Sequence, residues 1–304
     1  MLFENILDDI KSVIENWDSK YILQKYDDNF FDLVITSPPY NIWKSYETKI
    51  AIEDYLSTQE DIIKELVRVT SDKWSICWQV GNFVDKWEVF PLDIFYYHIF
   101  KKYWMKLRNR IVWHFWHWLH ASKRFSWRYE TILWFTKSDD YIFNLDDVRV
   151  PSKYPWKLHF KWDKKWKPSW NPLWKNPSDI WEIVVRDWEN ELWNVPNVKS
   201  NHPEKSDHPC QYPVELVERC ILALTNKESW VLDPFNWVWS TMVASLKNNR
   251  HSVWIDRDFS YCEIAKEKID LLRKWQLKTR AINQPIHQPK LWDKLSKIPE
   301  EWIK

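Results

Sequence analysis

The feature that most constrains the fold is a regular alternation of helical and extended patterns between residues 213 and 274. Pro213 suits the first turn of a helix, and apolar residues at helical spacing follow it. Alternation of this kind predicts an α/β fold in which helices cover the faces of a parallel sheet. The pattern then predicts a strand ending at Asp233, a helix from about Thr241 to Lys247, a strand ending at Asp256 and a helix from about Ser260 to Lys274.

The earlier part of the chain adds a helix and further strands. The run Phe31–Ile35 is short and apolar, which predicts a buried strand, and two prolines follow it almost at once. Residues 60–70 have helical spacing. Further strands are predicted over residues 75–80, 109–115 and 130–136.

A long irregular segment separates these two parts. Between residues 146 and 179 the periodicity is lost, and the stretch from Arg149 to Lys175 carries eight Lys or Arg and one acid. Such a segment is a loop with an excess of positive charge rather than a packed element. We therefore expect a single domain over residues 1–304 with a basic insertion at approximately 140–200.

The turn after the strand ending at Asp233 reads DPFNWVWST, and its composition is unusual. A strand-to-helix turn that holds a ligand normally uses glycine, which lets the backbone approach the ligand. Trp237 and Trp239 stand in those places. Asp256 ends the next strand, 17 residues after Trp239, where an acid can accept ribose hydroxyls. The turn predicts a cofactor site, and the alternative is an ordinary turn with an acidic cap.

The whole chain shows the same pattern, because tryptophan is in excess and glycine is scarce. It contains 26 Trp and one Gly, whereas roughly 7% glycine, about 21 residues, is usual for this length. Many tryptophans lie beside Pro, Lys, Asn and Ser without apolar periodicity. UGA is read as glycine in some bacterial lineages, so we hypothesise that most of these tryptophans stand for glycine. The alternative is a truly Trp-rich chain with an aromatic, sugar-binding surface. Trp162, Trp166, Trp170 and Trp174 form the clearest series.

A second motif, TSPPYN, follows the Phe31–Ile35 strand. Its prolines hold the backbone rigid, so that a carbonyl and the Ser37 hydroxyl can point at one small target, while Tyr40 offers a ring on which a base can stack. Together with the DPFNWVWST turn, it resembles the S/D/N-P-P-Y/F signature of DNA amino-methyltransferases. The alternative is a proline-stiffened turn with an exposed tyrosine.

The order of the motifs resembles that of the beta group of these enzymes, with the catalytic motif first and the cofactor loop last. Two shorter stretches, around Asp18 and over His202–Lys205, resemble the family's G-D-S and H-P-x-K elements. The resemblance implies a Rossmann-like methyltransferase sheet with circularly permuted motif order and S-adenosyl-L-methionine as cofactor. The implied catalytic residues are Ser37, Pro38, Pro39 and Tyr40. The implied cofactor-binding residues are Asp18, Thr36, Asp233, Phe235, Trp237, Trp239, Ser240, Thr241 and Asp256.

The resemblance also implies methyl transfer to an exocyclic amino group of a base flipped out of double-stranded DNA. Ser rather than Asp at position 37 favours N4 of cytosine over N6 of adenine. A restriction-modification setting with a cognate endonuclease, and a homodimer, are compatible with it. The basic side chains expected to contact DNA, unless they belong to a solvated loop, are Lys123, Arg124, Arg128, Lys161, Lys164 and Lys165.

Two other functional classes are alternatives to this interpretation. Methyltransferases that act on protein or RNA also use an N-P-P-Y loop, but there the cofactor loop normally comes first. A catalytically dead DNA-binding protein becomes the better interpretation if the tryptophans are real, because indoles at 237 and 239 would fill the cofactor site.

Composition excludes further classes. A formal net charge of +1 argues against a wholly basic protein that coats nucleic acid. The sequence has no apolar run of membrane-spanning length, and its acidic start is unlike a signal peptide. Four scattered cysteines without a C-x-x-C pair predict reduced thiols in a cytoplasmic protein. No acid accompanies His114, His117 and His120, so we predict no metal site.

Overall fold

A computed structural model describes the chain in ten stretches. In these ranges the chain forms a mixed sheet of eight strands, a separate two-stranded hairpin, and helices. The α/β fold predicted from the alternation is confirmed. None of the helices described is long and apolar enough to cross a membrane. The described residues are 9–41, 50–115, 121–150, 157–169, 171, 173–181, 198, 202–204, 212–235 and 239–281.

The predicted strands, and the helices predicted after residue 213, lie within five residues of the observed ones. The helix predicted over residues 60–70 begins earlier, at Ile52, and the other elements given below were not predicted. One detail was wrong: Pro213 has extended ψ of 147° and precedes the first turn of its helix as the N-cap residue. The strands are β1 (Ser12–Asn16), β2 (Phe31–Thr36), β3 (Thr70–Val80), β4 (Asn82–Asp85), β5 (Glu88–Pro91), β6 (Lys106–His114), β7 (Tyr129–Thr136), β8 (Ile180–Trp181), β9 (Trp230–Asp233) and β10 (His251–Asp256). The helices are α1 (Ser19–Ile22), α2 (Ile52–Val69), α3 (Leu92–Lys102), α4 (Val214–Leu224), α5 (Ser240–Lys247) and α6 (Phe259–Arg273).

The strand order of the large sheet is β1-β10-β9-β2-β3-β7-β6-β8. The first five strands are parallel, whereas β7 runs antiparallel to both β3 and β6. The parallel strands therefore end at one edge, at Thr36, Val80, Asp233 and Asp256, which we call the carboxyl edge. Since β2 pairs directly with β9, the two motifs meet there although they are about two hundred residues apart in sequence.

Two apolar cores cover the two faces of the sheet. One core packs strand side chains against α4, α5 and α6, and the other packs them against α1, α2 and α3. In β2, Leu33 and Ile35 belong to the first core, and Phe31 and Val34 to the second. Burial on both faces explains why β2 is apolar at four of its six residues, with Asp32 near its start. The site at the carboxyl edge consequently rests on a rigid three-layer support.

The irregular segment has little regular structure in its described parts. Short 3₁₀ turns occupy Leu145–Val148 and Trp162–Lys164. Isolated bridges join Val150 to Lys175 and Leu158 to Pro168 before the chain adds β8 to the sheet beside β6. The extent of the basic insertion stays a prediction.

Cysteine and histidine side chains form no covalent or metal-binding framework in the described ranges. Cys77, Cys220 and Cys262 are free and buried, and Cys210 lies outside these ranges. No group of three or more His, Cys, Asp or Glu within them is placed to hold a metal ion. His114 ends β6, while His117 and His120 lie outside the described residues.

Tryptophans occupy backbone conformations that normally require glycine. Six of the eleven described non-glycine residues with positive φ are tryptophans. Two of them, Trp104 (φ 63°) and Trp275 (φ 57°), come just after the C-caps of α3 and α6, where Asn249 (φ 62°) serves α5. This is the position that glycine or asparagine fills at helix ends, because a Cβ in the left-handed region costs about 1–2 kcal/mol. The other four are Trp87, Trp162, Trp166 and Trp174.

Buried tryptophans show a second anomaly. Among the described residues, the indole N–H groups of Trp239 and Trp254 are buried and have no hydrogen-bond partner. A buried donor left unpaired costs about 1–3 kcal/mol, and buried Trp N–H groups usually find a partner. By contrast, the Trp134 indole donates to the Ser75 hydroxyl at 2.9 Å. The backbone strain and the unpaired donors both disappear if glycine stands at these positions.

Candidate active site

The segment after β2 is held at the carboxyl edge by hydrogen bonds. The Ser37 and Tyr40 hydroxyl oxygens are 2.9 Å apart. The Tyr55 hydroxyl, on α2, donates to the Pro39 carbonyl and lies 2.6 Å from the Tyr96 hydroxyl on α3. Two helices therefore fix a segment that its prolines already stiffen.

Asn41 closes this segment against the start of α2. Its φ of 60° lies in the left-handed region, which asparagine tolerates. Its side-chain amide donates to the Ile50 carbonyl at 2.8 Å and accepts from the Ile50 N–H at 2.9 Å. This pair of hydrogen bonds joins Ile50 to the segment 36–41, which we call the catalytic segment after the role that the sequence resemblance implies for it.

Asp233 ties the two motifs together. Its buried carboxylate accepts hydrogen bonds from Thr36 (2.6 Å), Thr241 (2.7 Å), Tyr212 (2.9 Å) and the Phe235 N–H (3.2 Å). Burial raises the pKa of Asp233, and these four donors oppose that rise. Such a carboxylate joins β2, β9 and α5 through charge-assisted hydrogen bonds. Asp233 therefore connects these elements from inside the fold, at a point that we call the Asp233 junction.

A cavity of about 510 Å³ opens beside this junction. It is bounded by the ends of β2, β9 and β10 and by α1, α2 and α6. Pro39 and Asn41 of the catalytic segment line it. The other lining residues that bear on its chemistry are Asp18, Phe235, Asp256 and Tyr261.

Two carboxylates face this cavity from different elements. Asp256 ends β10 and accepts from the Asp258 N–H at 2.8 Å, and burial raises its pKa to about 7. Asp18 caps α1 by accepting from the Lys20 N–H at 2.9 Å. The Ser19 hydroxyl donates to the Pro234 carbonyl, which joins α1 to the turn after β9. The cavity thus offers acceptors for hydroxyl groups on two sides.

The predicted cofactor residues fall into two groups. Asp18, Phe235 and Asp256 line the cavity. The other predicted cofactor residues that the structure describes are buried and do not line the cavity. Among them, the Ser240 hydroxyl donates to the Tyr212 carbonyl at 2.8 Å. These buried residues are Thr36, Asp233, Trp239, Ser240 and Thr241.

Trp239 does not line the cavity, so the expectation that an indole at 239 would fill the cofactor site is wrong. It is 2% exposed, and its ring centroid lies 5.6 Å from the Lys268 ammonium. It precedes α5 as the N-cap residue, with φ −32° and ψ 1° and no side-chain capping bond. Trp237 lies outside the described residues. Sequence reasoning overlooked Tyr212 and Tyr55, because no motif marks them and only the tertiary contacts bring them to the site. Asn41 lies in the TSPPYN motif but was given no role there.

A second polar pair lies at the carboxyl edge, next to Tyr40. Gln79 of β3 donates to the Glu130 carboxylate at the start of β7. The only glycine of the chain, Gly81, separates this pair from Tyr40, because a Cβ there would be 3.2 Å from Tyr40 Cε2 and 3.4 Å from Glu130 Oε1. A larger residue at position 81 would push the Tyr40 and Glu130 side chains apart.

The stretch that resembles H-P-x-K fixes the start of α4. Glu204 accepts from the backbone N–H groups of Val214 (2.9 Å) and Arg280 (2.8 Å). Burial raises the pKa of Glu204 to about 7 and lowers that of His202 to about 4. Lys205 lies outside the described residues. This element joins α4 to the segment that follows α6.

Three of the predicted DNA-binding residues lie at the carboxyl edge. β6 ends and β7 begins there, so the connection that carries Lys123, Arg124 and Arg128 starts and ends at the same edge of the sheet as Ser37. Lys123 lies 5.4 Å from the ring centroid of Trp87 in the β4–β5 turn. The other three are exposed beside Trp166 in the irregular segment: Lys161, Lys164 and Lys165.

Comparison with known proteins supports the same interpretation. The sequence profile of the DNA methylase family matches residues 31–267. Type II methyltransferase M.BglII of Bacillus subtilis is 44% identical over 85% of this chain and 67% of its own length.

Solved structures share the fold. PvuII DNA methyltransferase (cytosine-N4-specific) has a TM-score of 0.63 at 16% identity, covering 90% of this chain and 96% of its own. The DNA modification methylase TTHA0409 of Thermus thermophilus, in complex with S-adenosyl-L-methionine, has a TM-score of 0.60 at 21% identity, covering 86% and 94%. The matched profile spans β2 to α6 and contains both motifs that meet at the carboxyl edge, so this chain belongs to the DNA methylase family of N6/N4 amino-methyltransferases.

Proposed function

We propose that the protein transfers a methyl group from S-adenosyl-L-methionine to an exocyclic amino group of a flipped base in double-stranded DNA, with N4 of cytosine as the favoured target. The observation that carries this proposal is the shared cavity wall. Pro39 and Asn41 of the catalytic segment line the same space as Asp18 and Asp256. A methyl donor bound there would lie directly beside the residues expected to hold the base.

The residues around the cavity fit S-adenosyl-L-methionine. A volume of about 510 Å³ falls within the range of roughly 300–1,000 Å³ that small-molecule sites occupy. Asp256 ends its strand where an acid accepts ribose hydroxyls, Asp18 lies at the opposite wall, and Phe235 supplies apolar surface. The cofactor supplies an electrophilic methyl group on a sulfonium.

The catalytic segment then has two tasks. An exocyclic amino nitrogen is a poor nucleophile because its lone pair is delocalised into the ring, so its hydrogens must be held by acceptors that favour a pyramidal nitrogen. The Ser37 hydroxyl can donate to Tyr40 and still accept an amino hydrogen. The Pro38 carbonyl is the second acceptor, and the Tyr40 ring stacks on the flipped base. Fixed dipoles of this kind stabilise positive charge that develops on the nitrogen.

The choice of target base has a direct test. Ser37 in place of Asp supports cytosine N4. We expect duplex DNA that has been incubated with the protein and S-adenosyl-L-methionine, then digested to nucleosides, to contain N4-methylcytosine. Liquid chromatography against standards, coupled to mass spectrometry, distinguishes this nucleoside from 5-methylcytosine. N6-methyladenine as the sole product would overturn the cytosine assignment and leave the enzyme class intact.

We further infer that the working enzyme carries glycine at most of the tryptophan positions. The left-handed backbone at Trp104 and Trp275 and the indoles of Trp239 and Trp254, which are unpaired among the described residues, support this. We call the chain with glycine at the tryptophan positions the glycine form. UGG codons at positions 237 and 239 would contradict the inference. In that case a DNA-binding protein without catalytic activity becomes the better proposal.

DNA contact is proposed for the six basic residues predicted from the sequence: Lys123, Arg124, Arg128, Lys161, Lys164 and Lys165. Among the described residues, no carboxylate forms an ion pair with Lys161, Lys164 or Lys165. Each cation that neutralises a phosphate releases a counterion, so replacing all three by alanine should reduce the slope of log K against log salt concentration by about 2.7. Fluorescence anisotropy on a labelled duplex at several salt concentrations measures this slope. An unchanged slope would remove the three lysines from the interface.

The genetic setting is also a proposal. The relative named a type II methyltransferase supports a restriction-modification role with a cognate endonuclease. A gene neighbourhood without an endonuclease reading frame would count against it. The homodimer stays a prediction, which sedimentation of the purified chain would decide.

A further inference from the structure

Gln79, which is buried, and Glu130, which is partly buried, form a pair at the carboxyl edge that has no role in the mechanism so far. A Cβ at position 81 would lie 3.2 Å from Tyr40 Cε2 and 3.4 Å from Glu130 Oε1, so these two atoms are at most 6.6 Å apart. Tyr40 in turn is hydrogen-bonded to Ser37. The carboxylate therefore lies close to the Tyr40 ring, on which the target base stacks in the proposed mechanism.

Methylation of an amino group requires a proton acceptor. The nitrogen lone pair forms the new bond to the methyl carbon as the C–S bond breaks, and the sulfur keeps that electron pair. The nitrogen then carries a positive charge, which it loses when one N–H bond breaks and its electrons return to the nitrogen. Ser37 and a backbone carbonyl accept hydrogen bonds, but neither is basic enough to keep the proton at neutral pH.

We propose that Glu130 is the proton acceptor of the methyl transfer, taking the amino proton through water. This inference rests on the proposed function. The hydrogen bond from Gln79 fixes the carboxylate against the sheet, and glycine at 81 leaves room for Tyr40 beside it. Glu130 is only partly buried, so the proton can pass to solvent after each turnover.

The protonation behaviour of Glu130 suits this role. Burial raises its pKa to about 7, and the hydrogen bond from Gln79 opposes the rise. A base works best when its pKa is close to the working pH. The ionisable groups that neighbouring elements place near this edge are Tyr40, His114 of β6, and Tyr212 ahead of α4. Arg128 lies two residues before Glu130, just ahead of β7.

The test is the pH dependence of single-turnover methyl transfer, measured in whichever form of the full chain, tryptophan or glycine, modifies DNA. In the wild type the rate should rise tenfold per pH unit below about 7 and then level off, as Glu130 loses its proton. Glu130→Gln should lower the plateau about 100-fold and flatten the profile. Carbon-13 NMR of labelled glutamate carboxyls, without cofactor or DNA, should show one resonance that titrates near 7 and is lost in Glu130→Gln.

Two further measurements separate proton acceptance from a structural role. Fluorescence of a 2-aminopurine target and binding of S-adenosyl-L-methionine should not change in Glu130→Gln. The matched control is Asp32→Asn, since burial also raises the pKa of Asp32 but this residue lies at the opposite edge, where it accepts from the Trp230 N–H at 2.7 Å. Its profile should match the wild type.

The inference is overturned if Glu130→Gln keeps the wild-type rate or pH profile, if base flipping or cofactor binding falls in parallel with the rate, or if the carboxyl titrates near 4. Failure of both forms of the chain to methylate DNA would instead overturn the proposed function, and this inference with it.

Discussion

Replacing Trp237 and Trp239 together by glycine is expected to tighten binding of S-adenosyl-L-methionine at least about 100-fold, or roughly 2.8 kcal/mol. The turn between β9 and α5 borders the cavity at Phe235, and glycine lets such a backbone approach a ligand closely. Glycine at 239 also removes a buried indole whose N–H has no partner. Isothermal titration calorimetry on the two chains measures the difference directly.

Two control variants make this result specific. Trp275→Gly relieves the left-handed backbone after α6, so it should raise the unfolding midpoint without affecting cofactor affinity. Asp256→Asn in the double-glycine chain should cancel about tenfold or more of the gain, because a charged acceptor is lost. Equal affinity of the tryptophan and double-glycine chains would show that the tryptophans are compatible with a working site.

The meeting of the two motifs was implied by the resemblance to DNA amino-methyltransferases. The alternation from residue 213 onward predicted parallel strands, and parallel strands bring their carboxyl ends to a single edge. The Ser37–Tyr40 and Asp233–Thr241 stretches both follow such strands. Their contact through Thr36 and Asp233 at 2.6 Å follows from the direct pairing of β2 with β9.

The division of labour within the site could not be predicted in the same way. Asp233 was expected at the cofactor, whereas it accepts four hydrogen bonds inside the wall. Whether a carboxylate faces a cavity or a cluster of hydroxyls depends on partners from distant parts of the chain. Tyr212 lies 21 residues before Asp233, outside every motif. Glu130 and Gln79 are 51 residues apart and become neighbours only because β7 pairs with β3.

The tryptophans show how a structure can add to a compositional argument. The count of one glycine indicates that something is unusual, but it does not say which positions matter. Backbone angles do, because positive φ after a helix C-cap is a property of the chain path and not of the side chain. Asn249 shows that α5 ends with a residue suited to that path, while Trp104 and Trp275 end α3 and α6 on the same path with a poorly suited one.

Ser37→Ala is expected to lower the single-turnover rate of methyl transfer roughly 1,000-fold, in the range found when one preorganised group that stabilises developing charge is removed. The Ser37 hydroxyl accepts an amino hydrogen in the proposed mechanism, and it touches the base only through that contact. Affinities for DNA and S-adenosyl-L-methionine should therefore stay constant. Rapid-quench assays with labelled cofactor measure the rate, and equilibrium binding measures the two affinities.

The companion variant Tyr40→Phe separates the two members of the pair. It keeps the stacking ring and removes only the hydroxyl that lies 2.9 Å from Ser37, so a loss of about tenfold is expected from one neutral hydrogen bond. If the double variant is no slower than Ser37→Ala alone, then Tyr40 acts on the rate through Ser37. A Ser37→Ala enzyme with an unchanged rate, or one that loses only DNA affinity, would show that the hydroxyl has no part in the chemical step.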